Sequence, residues 1–249
     1  GNYLSALGYI QTARALGNAG TVSDFMLDIE EAGCEFALGH LERTRELCDA
    51  ILGCPGGLTE KALAANLLVE VYIRQSDSRL ALEAALCWLG IFGIQIGRHP
   101  EDADCDAAWK DFCNRTGDAP QSRYAQLSRM ENPETEAVMN LLYSASICAS
   151  FICPRLHFLL LCRMMHLTLD HGITGASTTA MAWFGVLIGH RVRRVSPRVQ
   201  YGTLARELVN RHGYDAYEAK TCCRSISSAS GPAACRSPLS AQKPASPRR

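Results

Sequence analysis

The chain has 249 residues, of which 47% are apolar and 7% aromatic, and its 25 basic and 25 acidic side chains give a formal net charge of zero. This composition supplies enough apolar surface for a sizeable core and excludes a collagen-like, fibrous or wholly disordered chain. A neutral chain also lacks the positive field that general nucleic-acid binding or attachment to an anionic membrane requires.

Apolar residues recur every three or four positions along the chain, whereas the alternation typical of strands is scarce. Such runs occupy residues 25–36, 63–71 and 82–89 in the first third of the sequence. A spacing of three and four places these side chains on one face of a helix. The sequence therefore predicts an all-α chain.

Helix boundaries are marked by turn and capping residues. Residues 55–57, a Pro-Gly-Gly sequence, predict a break, with Thr59 as the N-cap of the next helix. Ser-Asp-Ser at 76–78 predicts a short turn, and residues 99–102 predict a helix start with acids in its first turn. His171-Gly172 predicts a helix end.

Three predicted turns share a small residue five places after the turn residue. The first two turns are 37 residues apart, near the period of about 34 of tetratricopeptide repeats, in which a small residue lets paired helices approach closely. This spacing favours tetratricopeptide-like stacked helix pairs, an α-solenoid, over the alternative of an irregular helical bundle. The turn and small residues are Gly39 with Thr44, Ser76 with Ala81, and Gly172 with Ser177, the third pair being degenerate.

Two stretches of 18 residues, 137–154 and 172–189, carry no charged side chain. This length is close to that of a membrane span. Both stretches contain several serines, threonines or glycines, so we expect buried helices of a repeat stack and no membrane insertion.

The twelve cysteines form no CxxC pair, and five of them lie among apolar residues at helical spacing. Cysteines in such a setting act as small buried hydrophobes. We predict reduced thiols and a cytoplasmic protein. The five are Cys34, Cys48, Cys87, Cys148 and Cys162.

The composition changes abruptly after Lys220. Residues 221–249 contain five basic side chains, no acid and no apolar periodicity, which leaves 1–220 with a net charge of −5. We predict a helical-repeat domain over 1–220, cut from a longer array, and a disordered basic tail rich in Ser, Pro and Ala over 221–249. An out-of-frame translation of the tail is the alternative, and the abrupt change favours it.

The sequence contains none of the motifs that carry chemistry. It has no phosphate-binding glycine loop, and its seven histidines form no metal-ligand spacing. The acids Asp102, Asp104 and Asp106 imitate a calcium loop, but Ala107 and Cys113 occupy the positions of the obligatory glycine and glutamate. We therefore predict no catalytic, cofactor-binding or metal-binding residue, and no enzyme activity, in this chain.

Four stretches resemble one family, the large bacterial hybrid sensor kinases. These stretches are CRMMHLTLDHG at 162–172 with its continuation to 185, LSRMENPE at 127–134, residues 81–94 and residues 201–220. They are similar to landmarks of the tetratricopeptide-like region that follows a serine/threonine-kinase-like domain and a P-loop ATPase domain and precedes GAF and histidine-kinase modules. The landmarks belong to a helical scaffold, so they identify no active-site residue.

The resemblance implies a non-catalytic scaffold that couples an ATPase switch to a kinase output in two-component signal transduction. ATP and Mg would belong to the missing domains of the parent. The expected partners are proteins, either neighbouring domains or a response regulator, and self-association through exposed repeat faces. The alternative is a stand-alone helical-repeat regulator that senses a small ligand between aromatic side chains. These are Trp88, Tyr143, Phe151, His157 and Trp183.

Overall fold

The computed structural model describes residues 2–16, 22–117, 119–191 and 196–226. Within these residues the regular secondary structure is helical, and one isolated bridge joins Arg129 to Ile173. The prediction of an all-α chain is confirmed. The helices are α1 (Tyr3–Leu16), α2 (Val22–Leu38), α3 (Leu41–Gly53), α4 (Leu58–Arg74), α5 (Ser78–Ile91), α6 (Asp102–Thr116), α7 (Pro120–Ala125), α8 (Pro133–Ile152), α9 (Pro154–His171), α10 (Gly175–Arg191), α11 (Ser196–His212) and α12 (Asp215–Ile226).

Most of the predicted helix boundaries are confirmed. Asp77 caps α5 by accepting a hydrogen bond from the backbone of Leu80 at 2.9 Å, and α9 ends at His171. The prediction that Thr59 caps α4 is wrong. The helix already begins at Leu58, and the carbonyl of Gly57 accepts the first helical hydrogen bond.

The three predicted repeat turns all have a left-handed turn residue and a buried small residue. Gly39, Ser76 and Gly172 have φ angles of 88°, 63° and 105°. The small residue five positions later is 0% exposed in each case, which confirms this part of the pattern. After Gly39 and Ser76, the next backbone N–H returns to the carbonyl five residues earlier, whereas the turn at Gly172 is stabilised by a different segment of the chain.

The buried face of α4 combines alanines in its N-terminal half with larger apolar residues in its C-terminal half. Val71 of the predicted apolar run is completely buried, whereas Leu63 and Leu67 of that run are only partly buried. The closest contacts are made by Ala62 and Ala65, which are completely buried. Alanine at these positions lets α4 pack against both α5 and α8. Periodicity therefore identified the helix but missed the residues at its closest contact.

Helix α8 is the central helix of the larger core. Among the described helices it alone is long and apolar enough to cross a membrane, and 61% of its apolar window is buried by the rest of the chain. It contacts α4, α5 and α9. This burial is what we expect for the core helix predicted at 137–154.

Helix α12 continues past the predicted domain boundary at Lys220. Thr221 is fully buried, and its hydroxyl lies 3.4 Å from those of Thr178 and Thr179 on α10. Residues 221–226 therefore belong to the helical domain, because their helix is anchored on α10. The remainder of the predicted tail, from residue 227, lies outside the described residues.

The nine cysteines from Cys34 to Cys162 are all free thiols. Four of the five cysteines that we expected to be buried are buried, but Cys87 is exposed. The buried stripe of α5 runs through Ala81, Ala85 and Leu89. Cys87 lies two residues from Ala85, which places it on the opposite side of the helix.

Candidate functional site

Three of the landmark stretches meet at the backbone of Ile173. Ile173 N–H donates to the carbonyl of Ser128 at 2.8 Å, and its own carbonyl accepts from Met130 N–H at 2.9 Å. The phenol of Tyr214 donates to the same carbonyl at 2.8 Å. The loop before α8, the α9–α10 turn and the start of α12 are thus joined through one buried residue.

Gly172 makes this junction possible. Its φ of 105° and ψ of −172° lie in a region that is essentially restricted to glycine. A Cβ atom at this position would lie 2.7 Å from the Ser128 carbonyl oxygen and 3.0 Å from the Met130 nitrogen. Both the conformation and the close approach of the two backbones therefore require glycine.

Buried hydroxyl groups cap α10 beside this junction. Thr174 Oγ1 accepts from Ser177 N–H, and Ser177 Oγ accepts from Thr174 N–H, both at 3.1 Å. Thr168 Oγ1 of α9 lies 2.9 Å from Ser177 Oγ. Ser177 is therefore small enough for the helix contact and polar enough to accept from the backbone N–H of Thr174 directly before α10, which a buried alanine would not do.

Helix α6 lies parallel to α9 and is joined to it by three contacts between ionisable groups. Arg155 Nε contacts Asp102 at 2.6 Å, and Arg115 contacts Asp170 at 2.5 Å. Between them, His166 Nδ1 lies 3.6 Å from Asp111. The residue numbers of the paired groups rise together along α6 and α9, so the two helices run in the same direction.

Burial of Phe112 contributes more to this docking than any single ion pair. Exposed ion pairs contribute about 0–1 kcal/mol each, whereas burying a phenylalanine contributes about 1.5–3 kcal/mol. Phe112 is 2% exposed, and its ring centroid lies 4.6 Å from that of Phe184 on α10. This contact could not be identified from the sequence because the two rings are far apart in the chain.

A cleft of about 390 Å³ opens between α6, α9 and the loop that precedes α6. Its α6 wall includes Asp104 and Asp111, and its α9 wall includes Arg163 and His166. One wall is therefore acidic and the other carries a cation and an imidazole. None of these residues was predicted from the sequence to form a site.

His166 is held in its neutral form. Its side chain is only 9% exposed, and this desolvation lowers its pKa, with the charge of Arg115 acting in the same direction. Asp111 raises the pKa, but by less. The Nε2 atom of His166 and the Nε atom of Arg163 are buried without a hydrogen-bond partner within the described residues.

The five aromatic residues of the alternative ligand pocket do not form one site. His157 and Trp183 lie together, with ring centroids 5.2 Å apart at 83°. Tyr143 packs edge-on against Tyr217, and the side chain of Phe151 is 81% exposed. Trp88 lies beside Phe92 of its own helix end.

The acids at the start of α6 have structural roles. Asp104 accepts a hydrogen bond from the backbone of Glu101 at 2.7 Å and completes a capping box, and Asp102 contacts Arg155. These contacts agree with our interpretation of a helix start in place of a calcium loop. Within the described ranges, no group of three or more His, Cys, Asp or Glu side chains is placed to hold a metal ion.

In comparisons with known proteins, no family model, curated protein or solved structure matches this chain. The resemblance to sensor kinases therefore stays a prediction based on the four stretches of sequence quoted above.

Proposed function

We propose that this chain is a tetratricopeptide-like stack of helix pairs that serves as a non-catalytic scaffold. The observation that carries this proposal is the order of helix contacts. Helices α2, α4, α8, α10 and α12 contact one another in sequence, each packing against the next. The first four of these are also each paired with the helix that follows, as in α2 with α3 and α4 with α5.

The intervening helices behave differently, which supports a repeating stack over an irregular bundle. Helices α3, α5, α9 and α11 each pack against the first helix of the following pair, but within the described residues they make no comparable contact with one another. A stack in which only one helix of each pair contacts its counterpart is curved, and the tighter side presents an extended surface to partners.

The tight side of the proposed stack is built from small side chains and a few polar contacts. Ala62 and Ala65 of α4 are completely buried, and Ser144 of α8 donates to Asn66 of α4 at 2.9 Å. Tyr217 of α12 donates to Asn140 of α8 at 3.3 Å. The first hydrogen bond fixes two neighbouring pairs relative to one another, and the second joins α12 to α8 across the intervening pair, as a rigid coupling element requires.

The resemblance to sensor kinases implies that the scaffold belongs to a cytoplasmic two-component signalling protein, in which it couples an ATPase switch to a histidine-kinase output. ATP and Mg would bind in other domains of the parent, and partners would be those domains or a response regulator. Convergence of three landmark stretches at Ile173 supports treating them as parts of one structural unit.

Reading the coding DNA on both sides of this segment tests the assignment. We expect an open frame with a P-loop ATPase domain upstream, and GAF and histidine-kinase sequence downstream once the frame after codon 226 is checked. A start codon directly upstream together with a stop codon directly downstream would refute the sensor-kinase assignment while leaving the repeat architecture untouched.

The coupling role has its own test in the parent protein. Gly172→Ala disrupts the junction at Ile173, so we expect ATP-dependent histidine phosphorylation to fall while ATP hydrolysis by the upstream domain persists. Gly33→Ala is the matched control, because a Cβ at Gly33 meets no atom within 4 Å. If Gly172→Ala disrupts the junction in the parent protein and histidine phosphorylation is nevertheless unchanged, coupling through this scaffold is contradicted.

The alternative, a stand-alone ligand-sensing regulator, is favoured by one observation, the cleft between α6 and α9. The same DNA reading separates the two, because flanking start and stop codons are what the alternative requires.

A further inference from the structure

The cleft between α6 and α9 presents an unsatisfied donor and an unsatisfied acceptor on one helix face. Arg163 is half-buried, and within the described residues it makes no hydrogen bond or ion pair with another group. Its Nε–H is a permanent donor, since the guanidinium stays charged. Native structures rarely leave such a donor buried without an acceptor, so its environment points to an anionic ligand group.

His166 supplies the acceptor. Its Nδ1 atom lies 3.6 Å from a carboxylate oxygen of Asp111, and this negative charge favours the tautomer of the neutral ring that carries its proton on Nδ1. The buried Nε2 atom then carries a lone pair and no partner. Burial of the ring, which lowers its pKa, keeps it in this form at neutral pH. A ligand group that donates a hydrogen bond would satisfy Nε2.

The two groups are placed to act on one small molecule. Arg163 and His166 are three residues apart on α9, which makes them neighbours on the helix surface. The opposite wall carries Asp104 and Asp111, whose negative charges favour a cation beside His166 and disfavour a dianion such as phosphate. The volume of 390 Å³ lies within the range of about 300–1,000 Å³ that is typical of small-molecule sites.

We propose that this cleft binds a small zwitterion of the free amino acid class, with its carboxylate on Arg163 and its ammonium group between His166 Nε2 and the acidic wall. The apolar side chains of Leu159, Ala107 and Ala108 line the remainder of the cleft and would contact the ligand side chain. This activity goes beyond the scaffold role and does not depend on it.

Isothermal titration calorimetry on the full chain tests the proposal. The probes are the twenty standard amino acids, β-alanine and γ-aminobutyrate, each titrated in phosphate buffer, which contains neither a carboxylate nor an amine. We expect saturable binding of at least one probe. We also expect its amine and carboxylic acid analogues, each lacking one charge, to bind at least about tenfold more weakly, as loss of a hydrogen bond to a charged group predicts.

Variants locate the site. Arg163→Met keeps the apolar stem and removes the donor, so we expect at least about tenfold weaker binding. Arg79→Met is the matched control, because Arg79 is exposed on α5 outside the cleft and its loss should leave affinity unchanged. Circular dichroism establishes that each variant is folded, and the analogue series on the unmodified chain decides the matter if Arg163→Met does not fold.

Three results would overturn the proposal. They are the absence of saturable binding for every probe, equal affinity of an analogue that lacks either charge, and unchanged affinity in folded Arg163→Met. None of them bears on the helix contacts or on the coding sequence, so the scaffold proposal is tested separately.

Discussion

Replacing Gly172 by alanine is the substitution whose effect the structure defines most sharply. The residue has a backbone conformation that is essentially limited to glycine, and its Cα faces the backbone of another segment. An added Cβ would approach the Ser128 carbonyl oxygen to 2.7 Å, a distance that backbone atoms can relieve only by moving apart. Moving apart breaks the two hydrogen bonds that join Ile173 to Ser128 and Met130.

The expected cost follows from these two effects. Holding a non-glycine residue in this region costs about 1–3 kcal/mol, and each lost buried hydrogen bond costs about 1 kcal/mol. We therefore expect Gly172→Ala to lower the free energy of unfolding by about 3–5 kcal/mol. Gly39→Ala should cost only about 1–2 kcal/mol, the ordinary penalty of a left-handed residue, because a Cβ there meets no atom within 4 Å.

Urea unfolding followed by circular dichroism measures all of these differences in one series. Gly33→Ala belongs in the series as a control that is expected to raise the free energy of unfolding. Gly33 lies inside α2 with open space around its Cβ position, so the change should stabilise the chain by about 0.5–1 kcal/mol. If Gly172→Ala proves no more destabilising than Gly39→Ala, the close backbone approach at the junction is refuted.

Four further substitutions or treatments have defined outcomes. Ala81→Leu overpacks a completely buried position and should lower the free energy of unfolding by about 1–3 kcal/mol in urea unfolding. Tyr214→Phe removes one of two hydrogen bonds to the Ile173 carbonyl and should cost about 1 kcal/mol in the same assay. Iodoacetamide at pH 8 should modify exposed Cys87 in the native chain but leave Cys148 unmodified by mass spectrometry, since burial raises the pKa of Cys148 to about 11. The pKa of His166 is lowered by folding, so its contribution to stability is present above its unfolded value of about 6.5 and is lost as the pH falls below it. Unfolding at pH 7.5 and 5.5 should show this loss, and it should be smaller in His166→Gln.

The parts of this fold that are determined by residues close together in the chain could be predicted from the sequence. A left-handed turn residue followed five places later by a small residue is a local pattern, and it correctly located Gly39 with Thr44. Capping by Asp77 is equally local. The N-cap of α4 was misplaced because two glycines and a threonine all suit a helix start, and nothing in the local sequence selects Gly57 over Thr59.

The candidate site could not be predicted in the same way. Its acidic wall on α6 and its basic wall on α9 are separated by about fifty residues, and no motif links Asp111 to Arg163. Aromatic residues were a poor guide, because large rings fill whichever interface is nearest. Tyr143 packs on α12, whereas Trp183 contacts α9.

The position of the cleft suggests how binding there would affect the chain. Helix α5 still packs directly on α8, so α6 and α7 form an excursion that leaves this contact of the stack intact. The excursion is held by Phe112 of α6, by fully buried Tyr124 of α7, which donates to the Met165 carbonyl of α9 at 3.1 Å, and by exposed ion pairs, which are weak individually. A ligand that contacts both Asp104 on α6 and Arg163 on α9 would bind only the docked arrangement. Such a ligand stabilises docking in proportion to the logarithm of its concentration. When the ligand is titrated into the chain, the protection of α6 amides from hydrogen exchange should therefore increase, whereas the protection of α2 amides should stay constant.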